Sequence, residues 1–372
     1  MIKSAYDMLY LSACAVNGFK ADAARIAEME LDKVYKTSAR HSLAALTAHA
    51  LAYAGAEVPP QWAEEQVKTL RKNILFDNER AKILRFMEEN GIWYMPLKGI
   101  IIKNLYPVFG VREMADNDIL YDKTYQKQVL DFMLQNGYEA ASVGKCHHDT
   151  YYKEPIYNFE LHTVLFAQSN ELFYDYYENV KERLLPNESD KFGYHFSDED
   201  FYIHITAHEY KHFSASGTGL RSLLDRYVYI SRKKELDFAY IEGECEKLGI
   251  ADFERESRAL CRKVFSAKEL PELSQAERDM LECYLLSTTY GTLEKMYRQR
   301  LMKHGGVIDK KAKRRYFLSR VFPDAEFYRE YSPLAYKYKV LIPFVWCKRM
   351  LVAAVKSRKK IKKEIDIVKK IK

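Results

Sequence analysis

Met95-Pro96-Leu97-Lys98-Gly99 is followed, fourteen residues past the lysine, by Arg112-Glu-Met-Ala-Asp116-Asn-Asp118-Ile-Leu-Tyr121. Together the two runs hold the side chains needed to grip a triphosphate and its magnesium. Two carboxylates on alternate residues of a strand are close, and their like charges are costly unless a cation sits between them. Magnesium, which prefers one or two carboxylates together with phosphate oxygens and water, is the natural occupant. Gly99 at the start of a helix would offer free backbone N–H groups and close approach to a phosphate, and Lys98 would add a point charge. An Asp-x-Asp pair alone also occurs in solvated loops, so the weight rests on the combination.

Periodicity predicts the elements that carry these residues. The apolar run 91–97 follows a helix stop signal and reads as a buried strand ending at Lys98. Residues 99–106 predict one or two helical turns, 107–110 a turn, and 115–121 a second strand. On that strand Asp116 and Asp118 point to one side, Asn117 and Ile119 to the other. A helix over 124–135, closed by Asn136-Gly137, precedes strands near 138, over 150–153 and over 156–165, with Glu154-Pro155 as a turn. Alternation in the last strand sets Asn158, Glu160 and His162 on one face and Tyr157, Phe159 and Leu161 on the other. The remainder is mainly helical: 1–56 ends at Gly55, Pro59-Pro60 opens a helix that runs to Asn90-Gly91, and helices return after 171. The expected organisation is a helical N-terminal region (1–90), an α/β core (91–170), a helical region completing a cleft (171–300) and a C-terminal helical region (301–372).

Leu97-Lys98-Gly99, the short helix with Leu105-Tyr106-Pro107, and Arg112-x-Met114-x-Asp116-x-Asp118-Ile-Leu120 resemble the bacterial "uncharacterised nucleotidyltransferase" family, a branch of the DNA polymerase β-like nucleotidyltransferase superfamily. Tyr157-Asn-Phe-Glu160-Leu-His162 is similar to that family's later Glu-Leu-His strand. The segment 204–227, with Gly217-Thr-Gly-Leu-Arg221 and Asp225, is similar to its helical segment. Phe322-Pro323, Tyr331-Ser-Pro333 and Leu341-Ile-Pro343-Phe-Val-Trp346 resemble its closing region, so the likeness covers most of the chain.

The resemblance implies an α+β fold, with a small mixed-sheet nucleotidyltransferase core embedded in a mainly helical N-terminal and C-terminal frame. It implies a metal-dependent nucleotidyltransferase that uses Mg2+ or Mn2+, two ions in all, to move a nucleoside monophosphate from an NTP to an acceptor with release of pyrophosphate. Asp116 and Asp118 would bind the metals. Glu160, if its strand lies beside theirs, would complete a three-carboxylate site and help deprotonate the acceptor. Lys98, Gly99 and Arg112 would hold phosphates, and His162, His208, His212, Arg221 and Asp225 would shape the pocket. Lys98-Gly99 stands where many superfamily members carry Gly-Ser or Gly-Gly, and the seventeen residues from Gly99 to Asp116 exceed the gap in the smallest members. The base and the acceptor, whether small molecule, sugar phosphate, tRNA or protein, stay open.

Other motifs compete. His208-Glu209-Tyr-Lys-His212 fits the His-Glu-x-x-His pattern of zinc peptidases, and Glu235 could be offered as a third ligand. Against it, His204, His208 and His212 form a stripe that equally describes a polar helix face lining a cleft, and neither Lys211 nor Gly217-Thr-Gly219 supports a zinc pocket. A catalytically idle nucleotide- or partner-binding module of the same fold is a further alternative, opposed by the clustered acids, which a decayed site has no reason to keep. Cys146-His147-His148-Asp149 is dense in ligand types, but neighbours on a strand point apart, which favours a surface loop or strand.

Composition bounds these expectations. With 372 residues and 48% hydrophobic content the chain is globular and long enough for two or three packed units. No apolar run approaches the ~20 residues that cross a bilayer, and Lys3 and Asp7 interrupt any signal core. Six cysteines without a Cys-x-x-Cys pair fit free thiols in a reducing cytoplasm. Of the net +7, residues 348–372 contribute +9 through eleven Lys or Arg and two acids, leaving −2 for the rest. In that tail Ile361, Ile365 and Val368 recur at helical spacing among lysines. This predicts an amphipathic helix that either docks on the body by its apolar side or meets an anionic membrane surface, RNA or an acidic protein.

Overall fold

The computed structural model describes residues 3–144, 147–287, 297–298, 301, 309–325, 327–328, 332–356 and 358–371. Strands β1 (Tyr94–Pro96), β2 (Asn117–Tyr121), β3 (Glu139–Ser142), β4 (His148–Lys153) and β5 (Tyr157–His162) form one mixed sheet in the order β1-β2-β5-β4-β3. β2 and β5 are parallel; the other neighbouring pairs are antiparallel. A parallel pair needs a long crossover, which here contains the helix Gln126–Gln135 and the β3–β4 hairpin. The result is the expected α+β architecture: a small mixed sheet within a mostly helical chain.

Strand alternation sorts the side chains into two layers. Ile119, Tyr121, Phe159 and Leu161 join Phe76, Ile83 and Met87 of the long helix Pro60–Glu89, and Val129 and Met133 of the crossover helix, in one apolar cluster. On the opposite face Leu120 belongs with Met95 and Leu97 to a larger cluster. That cluster takes in Leu9 and Leu11 of the first helix, Leu46 and Leu51 of the fourth, and Leu223, Leu224, Leu260 and Phe265 from helices past residue 217. N-terminal and later helices thus share one core over the same side of the sheet, and the helices Asp198–Ala215 and Leu220–Arg232 wall the part that bears Asp118, Glu160 and His162.

Several boundaries differ from the sequence expectation. The first strand shortens to Tyr94–Pro96, and the turns after it divide into α-helix Gly99–Ile102 and 3-10 turn Lys103–Leu105. The second strand begins at Asn117, so Asp116 precedes it instead of alternating with Asp118 on it. The helix carrying the histidine stripe runs Asp198–Ala215, capped by the Ser197 side chain accepting from Asp200 N–H. The basic tail is a helix over Arg358–Lys370. Its Val368 packs with Tyr316, and the buried Glu364 accepts from Tyr316 and Arg320 of the helix Lys310–Val321. One side of the tail is therefore docked, as apolar spacing allows, while Lys362, Lys363, Lys369 and Lys370 are exposed.

Candidate functional site

Parallel pairing of β2 and β5 places Asp118 directly opposite Glu160. Neighbouring residues in register share a face, so the two carboxylates and His162, two residues on, converge. Ligand atoms of Asp118, Glu160 and His162 lie within 4.8 Å of one another. His162 Nε2 is 2.8 Å from Asp118 Oδ1 and 4.0 Å from Glu160 Oε2. Lys98 Nζ donates to the same Asp118 oxygen at 2.7 Å. Lys98 is held there by a strained backbone, φ 48° and ψ −115°, unusual for any residue but glycine.

Burial and charge act on this group in opposite directions. Burial pushes the Asp118 carboxyl up, but Lys98 and the His162 hydrogen bond overcome it and hold Asp118 ionised, well below the usual carboxylate range. Asp116 is raised by burial and by the charge of Asp118. Glu160 is pushed up to about 7 by burial and by the charges of Asp118 and Asp116. Across the cleft, burial and then Lys98 bring Lys211 down to about 8. Crowded acids of this kind fit a cation.

These residues line a cleft of about 540 Å3 between the sheet and the helices Asp198–Ala215 and Leu220–Arg232. Asp116, Glu160, His162, His208, Lys211, His212, Arg221 and Asp225 all reach it. Asp116 lies outside the compact Asp118–Glu160–His162 group, because it precedes the strand. Arg221 is half-exposed and also donates to the Glu113 carbonyl at 3.1 Å.

Arg112, expected to face triphosphate oxygens, lines the cleft, and its guanidinium is also engaged by protein partners. Its Nε and Nη2 donate to the two oxygens of Asp225 at 2.8 and 2.7 Å, and its Nη1 lies 3.0 Å from Met114 Sδ. Tyr106 donates to Asp225 as well, at 2.8 Å. A buried carboxylate needs a counter-ion, so the guanidinium fastens the sheet segment to the helix Leu220–Arg232. The same contact revises the reason for Gly99. A Cβ there would stand 2.7 Å from Arg112 Nη1 and 3.2 Å from Met114, and the helix it opens is a single turn with little dipole. Gly99→Ala is expected to destabilise the protein by about 1–3 kcal/mol, as overpacking does, read by urea unfolding. Stability equal to the parent would show that Arg112 has room to move.

The histidine stripe divides. His204 is buried with no hydrogen-bond partner among the described residues, edge-on to Phe166 and Tyr177 and beside Phe196. His208 and His212 line the cleft, with Nε2 atoms 3.3 Å apart. Glu209, the general base of the peptidase alternative, is buried and ion-paired to Arg226, while Tyr284 donates to its other oxygen at 2.7 Å. Glu235 is exposed, beyond the end of the helix Leu220–Arg232. A glutamate so occupied has no free oxygen with which to activate water, which removes the basis of the peptidase assignment.

Two residues for which the sequence favours a surface loop or strand also reach the site. His147 and His148 sit beside His162, one ring nitrogen from each lying within 4.8 Å of the others. His148 opens β4 opposite His162, so it shares the site face, whereas His147 precedes the strand and escapes its alternation. Asp149 does point away, accepting from Gln126 and from the Gly144 N–H. Cys146 lies outside the described residues. Lys211 was read only for its bearing on a zinc pocket; its place in the helix register with His208 was the signal that it faces the cleft.

A family model described as "Uncharacterised nucleotidyltransferase" matches residues 27–266. No curated protein and no solved structure matches the chain.

Proposed function

The chain belongs to the uncharacterised nucleotidyltransferase family, and on that premise we propose that it is a metal-dependent enzyme transferring a nucleoside monophosphate from an NTP to an acceptor with release of pyrophosphate. The observation that carries this reading is the β2–β5 register, which sets Asp118 against Glu160 at the floor of the cleft with Lys98 bound to Asp118.

Asp118 and Glu160, with Asp116 at the strand entrance, are the oxygen donors that would hold Mg2+ or Mn2+, two ions in all. Their mutual charge, which raises Glu160 and Asp116, supports that fit. Bound there, the metal would neutralise phosphate charge and acidify the acceptor hydroxyl. Lys98, Lys211 and Arg221, all lining the cleft, would present positive charge to the triphosphate. Glu160, beside the ion it would help to hold, would receive the acceptor's proton. His162 orients Asp118 through its Nε2. Arg112 and Asp225 act as positioning residues that fix the segment leading into β2.

The test is incubation with each α-labelled nucleoside triphosphate and Mg2+, alone and with cell extract, beside a chelator control. The expected outcome is label transfer and pyrophosphate release that stop when the metal is removed. No transfer with any nucleotide, or transfer indifferent to chelator, would overturn the reading.

A further inference from the structure

We propose that His147, His148 and His162 bind a zinc-class divalent cation at a site of their own, next to the carboxylates of the cleft. Three features of the geometry converge on it.

First, the nitrogens are already gathered. His147 Nε2 and His148 Nδ1 face each other at 3.2 Å, close to the roughly 3.3 Å that separates two ligands of a tetrahedral ion with Zn–N bonds of about 2.0–2.1 Å. Their rings stand 5.6 and 5.0 Å from that of His162.

Second, a carboxylate lies near a ring nitrogen of two of the histidines. Asp118 engages Nε2 of His162 at 2.8 Å, and Glu160 faces Nε2 of His148 at 3.7 Å. The Asp118 hydrogen bond fixes the His162 tautomer that leaves a lone pair on Nδ1, the arrangement by which carboxylates orient metal-binding histidines.

Third, Nδ1 of His162 is buried with no hydrogen-bond partner among the described residues, on a side chain only 2% exposed. A buried polar atom left without a partner is costly, and a cation would satisfy it.

The donor chemistry sets the selectivity. Imidazole suits zinc, cobalt and nickel, whereas Mg2+ prefers carboxylate, phosphate and water oxygens. The cleft would therefore hold two kinds of ion side by side: oxygen-bound at Asp118 and Glu160, nitrogen-bound at the histidines. His162 links them, its Nε2 on Asp118 and its ring beside those of His147 and His148.

The experiment uses the full chain after dialysis against a chelator, titrated with Co2+ while its visible absorption is followed, then challenged with Zn2+ and separately with excess Mg2+. The expected result is one Co2+ per chain, displaced by Zn2+ and retained in Mg2+. Affinity should fall at least about 10-fold in each of His147→Ala and His148→Ala, the lower end of what disturbing a metal-binding shell costs. Both side chains are only half-buried, and far-UV circular dichroism checks that each variant folds. Displacement of Co2+ by Mg2+, unchanged binding in both variants, or loss of the signal in His208→Ala in their place would overturn the proposal. Binding is read without nucleotide, so failure here leaves the transferase reading standing, and failure of transfer leaves this site to be judged by its own titration.

Discussion

Asp118→Asn is expected to lower pyrophosphate release by about 10²–10³-fold, the scale of removing one preorganised electrostatic group from a water-poor site. The residue is the hub of the cleft: Lys98 and His162 both bind its Oδ1, and Glu160 lies opposite it in the sheet. Asparagine keeps the shape and can still accept from Lys98, but removes the charge on which a divalent cation and the buried ammonium both depend. The companion variant Glu160→Gln touches neither Lys98 nor the Asp118–His162 bond and should lose turnover with little loss of stability. Steady-state pyrophosphate release beside urea unfolding separates the two effects. Near-parental turnover in both variants would remove this pair from the chemistry.

Asp225→Ala carries the largest expected effect on stability, about 3–5 kcal/mol, because it leaves a buried guanidinium without its partner. Arg112 gives two of its nitrogens to Asp225, and Tyr106 gives its hydroxyl to the same carboxylate, all away from solvent. The variant should unfold at markedly lower urea concentration. A double replacement, Arg112→Met with Asp225→Leu, should recover a large part of the loss, since apolar residues of similar size often replace a buried pair at little net cost. Equal destabilisation by the single and double replacements would mean that this pair's charge is not what the fold depends on. Full transferase activity in the folded double variant would place Arg112 and Asp225 outside phosphate binding; reduced activity with an unchanged KM for nucleotide would mark them as positioning residues.

Local pattern was enough for much of the fold. The alternation of Asn158, Glu160 and His162 against Phe159 and Leu161 is what divides β5 between cleft and core, because a strand's side-chain period of two does not depend on its neighbours. Capping and stop residues likewise marked the long helix Pro60–Glu89, where Pro60 sits in the first turn and Gly91, at φ 69°, follows the end. At Asp116 the same logic failed, since a strand begins where its ladder begins, and pairing partners are not written into the segment itself. His147, which precedes β4, escapes that strand's alternation for the same reason.

Residue types and spacing, by themselves, determined that this chain carries acids on the Asp118 and Glu160 strands, a lysine and glycine at the first strand's end, and a basic tail of helical period. They also sufficed for the resemblance to the family whose model matches residues 27–266. Only the tertiary structure decided that β2 and β5 lie parallel with Asp118 against Glu160, that Arg112 belongs to Asp225, that Glu209 belongs to Arg226, and that two histidines before and within β4 stand beside His162. Each of these is a choice of partner for a charged or polar group removed from water. Such a choice joins residues up to 113 positions apart, and the free energy that settles it, desolvation against pairing, exists only once the chain has closed around both.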